Sequence, residues 1–238
     1  SETPAAEADA RELEGLARAF EGLSRGVLQA VSDFDMASGP GAFSSEMDLI
    51  ETLARASGRP VSLSLLQRIG DSEQWRKILS RVEAANARGL TMKVQVAPRA
   101  IGVLLGLDAT FHPFMGFPSY KAVASLPLAA RARHLANPEV KAKLLSETSE
   151  KVAGDGSAIP PLADQLLANL DFVSMSVFRL SPRPDYEPKR EDSIFGEAMR
   201  RGVKPLEAVY DALLEDEGRA LLYFPIYNYA VGSLDEVG

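Results

Sequence analysis

The 238-residue chain contains no cysteine, which removes disulfides and thiolate metal ligands from its chemistry. Histidine is nearly absent as well, with His112 and His134 the only two. Neither is followed by a ligand-type residue two or four positions later, and no HxH or HExxH metal motif exists within the sequence. No basic run appears, and 26 Lys and Arg against 33 Asp and Glu leave a net charge of −7. Nucleic acid and anionic membrane surfaces both require a positive field, so neither is expected as a partner. No apolar stretch approaches the roughly 20 residues that cross a bilayer. The GxGxxG, GxxxxGKS/T and GxSxG patterns are missing too, which leaves dinucleotide, P-loop and serine-elbow chemistry without support.

What is present is the composition of a folded protein, 46% hydrophobic and 25% charged. Three segments share a pattern of helix, glycine and strand. Gly26 precedes Val27–Phe34, Gly58 precedes Pro60–Gln67, and Gly89 precedes Thr91–Ala97. Between them, Ser44–Ser57 places Met47, Leu49, Ile50, Leu53 and Ala54 on a helical stripe, and Asp71–Arg88 does the same with Trp75, Ile78, Leu79, Val82 and Ala85. Asp71 followed by Gln74 has the form of a capping box. The strand spacing of about 31–34 residues fits successive βαβ units. Strands covered on both faces also explain the continuous run VSLSLL.

A helix is predicted earlier, over Ala6–Phe20. Residues 98–120 form an apolar, Gly- and Pro-punctuated stretch that reads as a pocket wall or lid. Helices are predicted around 121–135, from Asn137-Pro138, over 193–201 and over 205–216, with strands at Ser174–Leu180 and Arg219–Ile226. One domain over 1–238 is expected. It has regular βα units in 1–100, a loop and helical insertion in 101–190, and final helices and strand in 191–238.

Function in parallel α/β folds gathers at the carboxyl ends of strands. Those ends carry Asp33 and Asp35, Gln67 and Arg68, Gln95 and Arg99, and Tyr227 and Asn228. Such a set offers carboxylate oxygen to a metal and a guanidinium to an anion, although each residue alone also suits a turn or a cap. His112, within FHPF, is either a site residue or a hydrogen-bonded loop histidine, whereas His134 suits a surface.

The runs RGVLQAVSDF, GRPVSLSLLQ and RGLTMKVQVAPRAIGVLLGLDATFHPF, followed by LEDEGRALLYFPIYNYAVGSLDEVG, together resemble N-acyl-D-amino-acid deacylases of the amidohydrolase superfamily. The resemblance implies an α/β, partial TIM-barrel chain with parallel βα units and helical insertions. In that family a metal-activated water attacks an amide C–N bond. The family's HxH pair and catalytic Asp fall outside the match, so a fragment without catalytic residues of its own is expected. Asp33 stands where these deacylases place a histidine ligand, Leu65 where they place a second, and Gln67 where they have a lysine. Zinc near Asp33 is the implied metal, held mainly by groups elsewhere. Gln67, Gln95, Arg99 and His112 are the substrate-side residues, with Arg99 pairing with the carboxylate of an N-acyl amino acid. A cytoplasmic location is expected. The alternative is an inactive partial barrel or binding module that associates, with itself included, through open sheet edges.

Overall fold

The computed structural model describes residues 8–32, 34, 41–153, 159 and 162–235. In its first part, Leu28–Ala30, Val61–Ser64 and Met92–Gln95 form β1, β2 and β3, a parallel sheet in that order. Leu63 of β2 lies opposite Ala30 on one side and Val94 on the other. The returns between strands are α2 (Ala42–Ser57) and α3 (Gln74–Ala87), while α1 (Ala10–Arg18) precedes the sheet.

Central β2 explains its own sequence. Val61, Ser62 and Leu63 are all buried, so neither face needs polar alternation. Met47, Ile50 and Ala54 of α2 and Ile78, Val82 and Ala85 of α3 complete the core around them. Gly58 ends α2 at φ 60°, a left-handed conformation that a Cβ would strain, and turns the chain directly into β2. The two helices are also joined by charge. Buried Glu51 accepts from Arg81 Nε at 2.6 Å and from Arg88 Nη2 at 2.7 Å.

The strands β1, β2 and β3 are shorter than the sequence pattern predicts, because a ladder persists only where a neighbouring strand supplies partners. The capping box at α3 does not form. Asp71 Oδ1 accepts from Glu73 N, Gln74 N donates to the Asp71 carbonyl, and this turn delays the helix to Gln74.

The chain divides into two compact units, Glu2–Arg99 with Tyr227–Gly238, and Ala100–Ile226. The second contains β4 (Ile101–Leu105), α4 (Pro118–Lys121), α5 (Leu128–Leu135), α6 (Pro138–Ser146), α7 (Leu162–Ala168) and α8 (Leu170–Val173). It continues through β5 (Phe178–Arg179), α9 (Ile194–Arg201), α10 (Pro205–Gly218) and β6 (Leu222–Tyr227), the last residue of which falls in the first unit. Its sheet has the order β4-β6-β5, with β5 antiparallel to β6. The fold is therefore mixed α/β, and among the described residues neither sheet closes into a barrel.

The apolar stretch 98–120 is not all loop, since it contributes β4. Asn137 caps α6 as its sequence predicts, accepting from Glu139 N at 2.8 Å with Pro138 at the first helical position. Buried Tyr210 donates to the Leu135 carbonyl at 2.6 Å and meets Phe114 edge-on at 5.1 Å. Burial, then the neighbouring Asp211 charge, pushes its phenol up to about 12. No helix among the described residues is long and apolar enough to cross a membrane.

Gly102 marks the tightest approach in the second sheet, because a Cβ there would lie 2.4 Å from the Phe224 carbonyl oxygen. Gly102→Ala is expected to destabilise the protein by about 1–3 kcal/mol. Urea denaturation checks this through a lowered midpoint, and an unchanged midpoint would show that the strand pair yields freely.

Candidate functional site

Beyond Ser64, β2 continues as Leu65-Leu66-Gln67-Arg68, where ladder bonds run out while burial does not. Leu65 N still donates to the Gln95 carbonyl at 2.9 Å. Two residues further on, the partner changes. Gln67 N donates to Asn228 Oδ1 at 2.9 Å, and the Gln67 carbonyl accepts from Asn228 N at 2.9 Å. Asn228 Nδ2 reaches the carbonyls of Ala97 at 3.0 Å and Arg99 at 3.2 Å. Gln67 Oε1 accepts from Ala230 N at 3.1 Å. One asparagine side chain thus joins the end of β2, the turn after β3 and the segment after β6.

Gln67 is 4% exposed, and its Nε2 has no hydrogen-bond partner among the described residues. The Ala230 N–H fixes which end of the amide is oxygen, so Nε2 is the end left over. An unmet buried donor costs about 1–3 kcal/mol, a penalty that a ligand oxygen would remove.

Arg68 supplies charge at the same strand end. Its side chain is buried, Nη1 donates to the Leu66 carbonyl at 3.3 Å, and Nη2 donates to Ser32 Oγ at 3.4 Å. The guanidinium carbon lies 5.2 Å from the Phe34 ring centroid and 5.8 Å from that of Tyr227. Arg68 and Tyr227 also form an isolated antiparallel bridge. The sequence pattern places Arg68 and Asn228 at strand ends but gives no sign that Asn228 organises the others, because all its partners are backbone groups.

The remaining expected residues are distributed as follows. Gln95 ends β3 and Arg99 sits in the turn beyond it, both with exposed side chains in the unit that holds Gln67. Asp33, the expected metal ligand, lies outside the described residues, as does Asp35. Among the described residues no group of three or more His, Asp or Glu side chains is placed to hold a metal ion. The described donors at the strand ends are amides, a guanidinium and a hydroxyl, which do not make a zinc site.

His112 belongs to the second unit and is 2% exposed. Its Nδ1 accepts from Phe114 N at 3.2 Å, and its ring meets Tyr120 edge-on at 4.4 Å. Arg131 lies over the Tyr120 ring and donates to the carbonyls of Ala124 at 2.9 Å and Leu107 at 2.8 Å. Burial, then the Arg131 charge, lowers the His112 pKa to about 3. His134 is exposed. The second unit also has a cavity of about 410 Å³, in which apolar Pro113, Phe117 and Phe172 share the wall with polar Ser149, Asn169 and Asp171.

No family model, curated protein or solved structure matches the chain.

The His112 environment sets a sign for acid stability. Its folded pKa is depressed from 6.5 to about 3, so the unfolded chain takes up the proton first. Stability is unaffected by this group above about pH 6.5 and falls as the pH drops from there toward 3, by up to about 1.4 kcal/mol per pH unit. Chemical denaturation of wild type and His112→Gln between pH 7 and pH 4 is expected to show a shallower decline in the variant. Parallel profiles would remove His112 as a source of acid sensitivity.

Proposed function

We propose that this chain supplies strands of an amidohydrolase-type (β/α)8 barrel and serves hydrolysis of the amide C–N bond of an N-acyl amino acid. The observation that carries the proposal is the convergence of Gln67, Arg68 and Asn228 where the parallel strands β1, β2 and β3 end, with Gln95 and Arg99 in the same unit. The resemblance of VSDF, VSLSLLQ and the 88–114 run to N-acyl-D-amino-acid deacylases supports the same direction. On this proposal Gln67 Nε2 meets a substrate oxygen, and exposed Arg99 pairs with the free carboxylate. Any zinc used in the reaction would be held by groups other than the described residues. The described residues of this chain contribute binding and orientation instead of ligation.

Release of free amine from N-acetyl amino acids of both chiralities, assayed with added zinc on the protein carrying this chain, tests the proposal. Arg99→Glu should then raise KM about tenfold or more with little change in kcat. No amine release from any such substrate, or an unchanged KM, would contradict it.

A second function is favoured by a different observation. Val31, just past edge strand β1, is 87% exposed, and Leu104 on edge strand β4 is 47% exposed. Apolar edges of this kind suit a module that associates by strand pairing. Sedimentation velocity over a range of concentrations should show a dimer forming if this is right, and a monomer throughout if it is not.

A further inference from the structure

We infer that Asn228 is the positioning residue of the strand-end face, setting the turn that carries Arg99 against the end of β2 that carries Gln67. The inference rests on the ligand-binding roles proposed for those two residues. Asn228 is the first residue after β6 and is 1% exposed. Its φ of 62° lies in the left-handed region, which asparagine tolerates better than most side chains. Its backbone N–H and both ends of its amide are engaged, and every partner is a main-chain atom of residue 67, 97 or 99. A residue bonded in this way acts on the course of the chain and does not touch a ligand itself.

The two ends of the amide have separable tasks. Oδ1 accepts from Gln67 N, while Nδ2 donates to the carbonyls on either side of Pro98. Pro98 has no N–H, so the 97–99 turn cannot be held from its own middle donor. The Asn228 amide instead holds both flanking carbonyls from outside. The direction of the Arg99 side chain follows from that turn.

Substitutions can divide these tasks. Asn228→Asp retains the acceptor for Gln67 N and tolerance of the left-handed backbone, but loses both donors to the turn. Asn228→Gly retains only the backbone conformation. Backbone ¹⁵N relaxation should show Ala97 and Arg99 loosened in Asn228→Asp while Gln67 stays ordered, and all three loosened in Asn228→Gly. Binding of N-acetylalanine, both enantiomers tested, should weaken about tenfold in Asn228→Asp. Binding of the uncharged N-acetylalaninamide should change little. Rigid Ala97 and Arg99 amides in Asn228→Asp would overturn the inference, as would unchanged N-acetylalanine affinity with a loosened turn. If wild type binds neither probe, the proposed function fails, while the relaxation data still decide whether Asn228 sets the turn. Failure of Asn228→Asp to fold leaves Asn228→Gly as the deciding variant, with an unmoved Arg99 amide as the contrary result.

Discussion

A buried strand cannot simply stop, because its next N–H and carbonyl still need partners and water is excluded. The first unit is organised around this constraint. Val61, Ser62 and Leu63 are covered on both faces, and burial continues to Leu65, Gln67 and Arg68 after regular pairing has ended. The main-chain groups of Gln67 are therefore satisfied by Asn228, which arrives from the far end of the sequence, 161 residues away. The same amide holds the turn after β3, so a folding requirement also ties that turn to the end of β2.

The polar residues of this face are engaged in different ways. Asn228 has its side-chain amide fully engaged, whereas Gln67 has its amide oxygen engaged and its amide nitrogen free of a described partner. Arg68 is a buried cation set between aromatic rings, suited to fixing local potential. Arg99 has its carbonyl held and is exposed. His112 differs from all of these. Its Nδ1 is committed to Phe114 N–H and its ring to Tyr120, in a buried setting that lowers its pKa.

Much of the architecture of the first unit was legible in the sequence. The period of about 33 residues, the stripe through Met47, Ile50 and Ala54, and the unbroken VSLSLL run all follow from burial on two faces of a parallel sheet. Asn137-Pro138 announced its helix, since cap chemistry is local. Asp71 and Gln74 misled, because the same short side chain serves a turn as readily as a cap. The strand within 98–120 was hidden by its glycines, which in Gly102 reflect close contact with β6 instead of a loop. At the site, sequence position singled out Gln67, Gln95 and Arg99 but not the bond linking Asn228 to residue 67. No local pattern encodes a hydrogen bond between main chain and side chain over such a separation.

On the proposed function, ligand meets this protein where β1, β2 and β3 end. The most direct measurement is a two-dimensional amide NMR titration of the isotope-labelled protein with N-acetylalanine. A ligand face at the strand ends predicts concentration-dependent shifts concentrated at residues 66–68, 95–99 and 227–230. Shifts concentrated instead around the Pro113 and Phe172 cavity, or no shifts at millimolar ligand, would contradict it.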